Sequence, residues 1–200
     1  MRIIGITGPS GSGKTALTEY LAGKGVPAVD ADALYHSMLI PPSECLDAIA
    51  RAFGNDVLRD DGTLDRQKLS SLVFNSKDAL ALLNATVLPR VIDRIRTLIG
   101  EFERDGHKAI VIDAPTLIES GFDKECSTVI SVIAESSLRI GRIMARDGID
   151  EQAATQRVQA QKSDEFYTSH SNHVLYNNGD KAALIAQFEA LGLIGKEERV

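Results

Sequence analysis

Gly8-Pro9-Ser10-Gly11-Ser12-Gly13-Lys14-Thr15 is the stretch whose reading decides the fold. Gly8 is followed by four residues and then Gly13-Lys14-Thr15, the spacing of a phosphate-binding loop. A flexible glycine turn ahead of a helix is the bland alternative, and the flanks argue against it. Arg2-Ile3-Ile4-Gly5-Ile6-Thr7 reads as a short buried strand, and Thr15 to Ala22 as a helix closed by Gly23. Strand, glycine loop and helix in that order aim backbone N–H groups at an anion, at the positive end of a helix. Glycine lets the backbone approach phosphates with no Cβ in the way. Lys14 adds a point charge for the β- and γ-phosphates, and the Thr15 hydroxyl is a hard oxygen for Mg²⁺. Pro9 has no N–H but precedes the donors expected from Gly11 to Thr15.

Working outward, Val26 to Asp30 reads as a second strand ending in Asp30-Ala31-Asp32. Carboxylates at the end of a strand beside a phosphate loop lie where α/β sheets place their chemistry. Asp32 is a candidate to accept the proton of a substrate hydroxyl, and Asp30 to orient the substrate or hold a water on Mg²⁺. Against this stands simple capping of the helix that follows, from Ala33 to about Leu39. Pro41-Pro42 breaks the chain, and from Ser43 to about Asp105 the pattern is helical with no convincing strand. Ser43 is a helix cap, Asp60-Asp61-Gly62 a turn, and Val87, Val91, Ile95, Leu98 and Phe102 mark a long amphipathic helix entered near Pro89. This block is too long for a simple crossover and suits a second substrate.

Lys108 to Asp113 is the third strand, ending in an acid suited to a Mg²⁺ shell, after which Asp113-Ala114-Pro115 turns the chain toward the site. Ser127 to Ile133 is the fourth strand and His173 to Tyr176 the fifth, followed by the turn Asn177-Asn178-Gly179. A loop there can meet an adenine ring through backbone and amide groups, although a plain turn explains it as well. Between the last two strands Arg139, Arg142 and Arg146 share one helical face, and Arg157 sits on the next helix, Asp150 to about Gln161. Such a basic hairpin near a triphosphate can close over it as a lid, whereas a solvated face is the usual fate of charge runs. The final helix runs from about Lys181 to Leu191, and the tail Lys196 to Val200 is polar and expected to fray.

The expected fold is α/β, of the phosphate-loop NTPase type: a five-stranded parallel sheet flanked by helices, with a helical insertion for the acceptor and a helical lid. Residues 1–34, 105–135 and 165–200 form the nucleotide-binding core, 35–104 the insertion and 136–164 the lid. The length of 200 residues suits one such domain, and a net charge of −6 argues against broad nucleic-acid binding. Cys45 and Cys126 follow no ligand spacing and are expected as reduced thiols, and the histidines at 36, 107, 170 and 173 show none either. A chain that opens on a strand leaves no room for a signal peptide, and no apolar run is long enough to span a bilayer. A cytoplasmic protein is expected, acting on small molecules, with no membrane, nucleic-acid or obligate protein partner.

Together these residues resemble the dephospho-coenzyme A kinase family over nearly the whole chain. Gly8 to Thr15 matches its phosphate loop and Val29-Asp30-Ala31-Asp32 its second signature. Phe53-Gly54, Asp61 to Arg66, Leu83-Asn84 and Pro89 match its acceptor insertion, and Pro115 to Glu119 its proline-leucine-leucine-x-glutamate stretch. Arg142, Arg146-Asp147, Arg157 and Gln161 match its lid, and Asn177-Asn178-Gly179 its late turn. This chain departs from the pattern with Leu88, Tyr176, Arg139, Pro9 and Thr116, where the family usually has histidine, aspartate, glutamine, glycine and leucine.

The resemblance implies transfer of the γ-phosphoryl of ATP, with Mg²⁺, to the 3′-hydroxyl of the ribose of dephospho-CoA. Asp32 would be the base, with Lys14, Arg142 and Arg146 steadying the phosphoryl group. Gly8, Gly11, Ser12, Gly13, Lys14, Thr15, Ala16 and Asn178 would hold ATP. Asp30, Arg66 and Pro115 would hold the acceptor, and Thr15 and Asp113 the metal. A kinase of the same fold acting on a nucleoside, nucleotide or other alcohol would share the loop and the lid. A GTP-dependent switch would carry an Asn-Lys-x-Asp base-reading motif, which this chain lacks.

Overall fold

The computed structural model describes residues 1–74 and 76–195. The tail expected to fray, 196–200, lies outside the described residues. Strands buried on both faces read as unbroken apolar runs, and that is how they form here. β1 (Arg2–Thr7), β2 (Ala28–Asp30), β3 (Ala109–Asp113), β4 (Thr128–Ile133) and β5 (His173–Tyr176) make one sheet in the order β2-β3-β1-β4-β5. Every residue of β3 and β4 is buried. β1 pairs in parallel with both, Ile6 opposite Asp113 and Thr7 opposite Ser131. The carboxyl ends of β1, β3 and β4 therefore share one edge. The chain builds β2 and β3 on one side of β1 and β4 and β5 on the other, so the loop after β1 leaves at the switch point where such sheets open a crevice.

The chain divides into two compact units, one of Met1–Val29 with Glu101 onward and one of Asp30–Gly100. In the first, α1 (Lys14–Ala22) and α9 (Lys181–Ala190) cover one face of the sheet. Leu17, Leu21, Leu184 and Phe188 pack with Ile4, Ile6, Val111, Ile130 and Val132. Fully burying each such side chain is worth roughly 1.5–3 kcal/mol. α6 (Ser136–Asp147) and α7 (Glu151–Gln159) form a hairpin turned at Gly148, a left-handed C-cap with φ 65°. α8 (Asp164–Ser169), capped by Ser163, places Tyr167 in a small cluster with Ile118 and Ile133. No helix was expected there, because six residues are too few to display a period.

The second unit is helical: α2 (Ala31–Ser37), α3 (Glu44–Phe53), α4 (Arg66–Phe74) and most of α5 (Lys77–Arg104). The Ser43 hydroxyl caps α3 by accepting the Leu46 N–H at 3.1 Å, and Leu46, Ile49 and Ala50 are buried. One expectation is corrected. α5 is not entered near Pro89; it begins at Lys77 and carries Pro89 inside. An interior proline costs about 3 kcal/mol, but Ala79-Leu80-Ala81-Leu82-Leu83 ahead of it are strong helix formers. The turn expected at Asp60-Asp61-Gly62 is present and is closed by an isolated antiparallel bridge, Leu58 to Leu64.

Both cysteines are free thiols. Burial, reinforced by Asp123 and Glu125, pushes Cys126 up to about 12, and burial raises Cys45. Against the ordinary value of 9.0 this cuts the thiolate fraction of Cys126 at pH 8 from about 10⁻¹ to about 10⁻⁴. Iodoacetamide at pH 8, read by mass spectrometry, should therefore label Cys126 about a thousandfold more slowly in the native chain than in urea. Comparable rates would contradict the packing.

Candidate functional site

The site grows from the turn between β1 and α1. Gly13 caps α1 in the left-handed region, φ 97°, and a Cβ there would lie 2.1 Å from Asn177 Nδ2. Only glycine satisfies both constraints. The loop ends at the positive end of α1, where helix geometry favours an anion. Not every amide of the loop faces outward: the Ser12 N–H turns back to the Pro9 carbonyl at 3.3 Å, and the Ala16 N–H to the Gly13 carbonyl at 3.1 Å. Lys14 Nζ arches over the start of the loop and donates to the Gly8 carbonyl at 2.8 Å. The Ser12 hydroxyl is buried with no hydrogen-bond partner among the described residues.

The carbonyl side of the loop is held by side chains from the far end of the sheet. Arg142 Nη1 donates to the carbonyls of Gly11 at 3.1 Å and Ser12 at 3.4 Å, and its Nη2 to the Asn177 carbonyl at 2.9 Å. Asn177 is buried and its Nδ2 donates to the Ser12 carbonyl at 2.7 Å. Arg139, expected on a lid face, is 3% exposed and donates from Nε to the Ser10 carbonyl at 3.1 Å. The shared helical face of these arginines thus meets the loop, and the positive charge answers carbonyl dipoles. Only Arg146 extends from this face into solvent (59% side-chain exposure) while reaching the Ser10 hydroxyl at 3.3 Å. Asp147 grips Arg146 in a bidentate pair at 2.7 and 2.9 Å and also accepts from Arg157. The Arg146 hydrogen bond holds the Asp147 carboxyl below its usual range and raises the guanidinium in return.

The side chain of Asn178 secures the start of α6: its Oδ1 accepts the Glu135 N–H at 2.9 Å and its Nδ2 donates to Glu135 Oε1 at 3.2 Å. Its neighbour Asn177, read in the sequence only as part of the turn, is the one whose side chain meets the loop. Asp113 ends β3 nearly buried, 8% exposed, and its Oδ2 accepts from Thr18 Oγ1 at 3.0 Å. Thr18 was also overlooked; its signal was the four-residue offset from Lys14, which puts both on one side of α1. The Pro115 carbonyl accepts from Thr7 Oγ1 at 3.3 Å, tying the turn after β3 to the end of β1. Thr15 is exposed at the start of α1. One hydroxyl and one carboxylate are the hard oxygens that Mg²⁺ takes when substrate phosphates and water complete its shell. No group of three or more His, Cys, Asp or Glu side chains that could hold a metal ion exists among the described residues.

In the second unit Asp30 is the N-cap of α2, its Oδ1 accepting the Ala33 N–H at 2.9 Å. Asp32 stands exposed in the first turn of the same helix, where the backbone dipole favours negative charge. Arg66 opens α4 and lines two adjoining hollows of about 200 and 380 Å³, shared with His36, Leu39 and Leu64. One is apolar, with Leu69, Val73 and Leu83; the other adds Arg59 and Thr63. Burial raises the Tyr35 phenol that borders the apolar hollow, and its ring lies 5.8 Å from that of His36. The structure therefore gathers the loop, Lys14, Thr15, Asp113, Pro115, Arg142 and Arg146 in the first unit, and Asp30, Asp32 and Arg66 in the second.

Comparison with known proteins agrees with this chemistry. The dephospho-CoA kinase family model matches residues 2–183. The chain is 35% identical over 188 residues to the dephospho-CoA kinase of Corynebacterium efficiens, covering 94% of each, and 35% identical over 189 residues to that of Arabidopsis thaliana, covering 94% of this chain and 82% of the relative. A crystal structure from Thermus thermophilus superposes with a TM-score of 0.81 at 31% identity, covering 97% of this chain and 98% of the other. The fold alone is shared with shikimate kinase from Acinetobacter baumannii, TM-score 0.55 at 16% identity over 96% of this chain and 92% of that one. No helix among the described residues is long and apolar enough to cross a membrane.

Gly13→Ala should collide with Asn177 and force a strained φ, a combination worth roughly 1–3 kcal/mol of stability. Thermal unfolding should show it, and Asn177→Ala in the same chain should restore part of the loss by vacating the space. An unchanged melting temperature for Gly13→Ala would contradict the loop geometry.

Proposed function

The chain belongs to the dephospho-CoA kinase family of phosphotransferases, whose reaction is the last step of coenzyme A synthesis, and we propose how its residues divide that work. ATP is the donor. Its phosphates enter the arc from Gly8 to Thr15, where the first-turn amides of α1 face an anion and Lys14 exchanges loop carbonyls for phosphate oxygens. The observation that carries this reading is the asymmetry of the loop. Its carbonyl side is bonded by Arg142 and Asn177, which fixes the backbone at the positive end of α1, where an anion is favoured. Thr15 and Asp113 hold Mg²⁺, which when bound neutralises charge on the phosphates.

The acceptor lies against the second unit. Its apolar arm suits the hollow lined by Leu69, Val73 and Leu83, and Arg66 and Arg59 supply charge for its phosphates. Asp30 positions the acceptor through α2, which it caps, and the Pro115 turn borders the same reaction. Asp32 takes the proton of the ribose 3′-hydroxyl as that oxygen forms a bond to the γ-phosphorus. The bond from phosphorus to the bridging oxygen breaks, and ADP leaves with that electron pair. Arg146 passes from Asp147 to the moving phosphoryl group, while Arg142 keeps the loop rigid beneath it. The hairpin of α6 and α7 serves as the lid, and the adenine meets the turn at Asn178 through its backbone. We place the reaction in the cytoplasm, with ATP, Mg²⁺ and dephospho-CoA as its only required partners.

Incubation with ATP, Mg²⁺ and dephospho-CoA should yield ADP and a product heavier by one phosphoryl group, located at the 3′ position by fragmentation. Phosphate on any other atom, or on other alcohols in preference, would contradict the assignment. Asp32→Asn should lower kcat by about 10²–10⁴-fold with ATP affinity nearly unchanged. Unaltered turnover would remove Asp32 from the base role.

A further inference from the structure

Arg139 has no part in the chemistry above, yet the structure invests heavily in it. It is the one arginine buried among the described residues, at 3% exposure. A cation taken that far from water is costly unless paired and hydrogen-bonded. Its ion pair with Asp164 spans 3.4 Å, and that carboxylate side chain is 48% exposed, a weak match for a buried charge. The firmer bonds lead elsewhere. Nη2 donates to Gln161 Oε1 at 2.6 Å and Nε to the Ser10 carbonyl at 3.1 Å. The same Gln161 oxygen accepts the Ser10 N–H at 3.2 Å. One guanidinium thus governs both backbone polar groups of Ser10, the first directly and the second through Gln161. The backbone of α6 also abuts the next residue: a Cβ on Gly11 would lie 2.7 Å from the Arg139 carbonyl.

We propose that Arg139 is a positioning residue for the phosphate loop: with Gln161 it locks the Ser10 backbone, so that the arc from Gly11 to Thr15 holds its anion-binding shape before nucleotide arrives. The fork of the guanidinium is what the geometry requires, since it meets two acceptors at once and an ammonium meets them as a single point. Burial pushes the Arg139 guanidinium down, and the neighbouring Asp164 opposes that shift. Without the lock, ATP must order the loop as it binds, and its affinity falls by the fraction of chains already in shape. Turnover at saturating ATP changes less, because the bound loop is the same.

The inference rests on ATP binding at the loop, and calorimetric titration of the intact chain with Mg·ATP separates the two claims. Arg139→Ala should weaken the Kd about tenfold or more, as loss of a charge-assisted hydrogen bond does. Gln161→Ala should weaken it similarly, Arg139→Lys should recover part of the loss, and the double alanine variant should fall short of the sum because the two residues act as a unit. The kcat of Arg139→Ala at saturating ATP should drop by less than about threefold, since uniform binding is what is lost. A parent chain that binds no ATP overturns the loop reading itself. A parent that binds, with Arg139→Ala and Gln161→Ala within about twofold of it, overturns the positioning role alone. Should Arg139→Ala not fold, Gln161→Ala and Arg139→Lys decide by the same criteria.

Discussion

The structure depends on one constraint: the carbonyls of the phosphate loop are bonded from behind, which fixes the course of its backbone at the start of α1. A loop rich in glycine has many conformations, and fixing each residue costs roughly 1–2 kcal/mol of backbone entropy. Here that cost is met by the protein rather than left to the ligand. Arg142, Asn177 and Arg139 bond the carbonyls of Gly11, Ser12 and Ser10, and the backbones of α6 and β4 press on Gly11 and Gly8 closely enough to exclude a Cβ. The elements that hold the loop come from the last third of the chain, and the sheet order explains how they arrive. β4 and β5 lie beside β1 on the side away from β3, so the segments leaving their carboxyl ends reach the loop directly.

The same arrangement sorts four arginines by role. Arg139 and Arg142 are engaged with the backbone and act on shape. Arg146 and Arg157 are exposed and share one carboxylate, Asp147, which keeps their charge near the loop without committing it. Surface pairs of this kind contribute little to stability, so their geometry is available to a ligand at small expense. The second unit follows a different logic. It has one apolar hollow, a second lined by Arg59 and Arg66, and exposed charge in place of a rigid cradle.

Much of this was legible in the sequence because its physics is local. Parallel strands buried on both faces appear as apolar runs, and the loop spacing fixes the start of α1. Other features depend on distance. Asn177 and Asn178 are identical neighbours, and only the turn after β5 determines which one meets Ser12 and which one Glu135. Helical spacing put Arg139, Arg142 and Arg146 on a common face but not which way that face pointed; burial against Ser10 decided it. Pro89 carried a false start signal, because proline opens helices more often than it sits inside them. α8 was too short to announce itself. The capping role weighed for Asp30 is the one its side chain performs toward Ala33.

The central claim is that this loop receives the phosphates of ATP. Amide shifts of the ¹⁵N-labelled chain, followed by nuclear magnetic resonance during titration with Mg·ATP, test it most directly. The account predicts that the largest changes fall on Gly11, Gly13, Lys14 and Thr15, with smaller ones along α6. Saturable binding that leaves those four amides unmoved would contradict it.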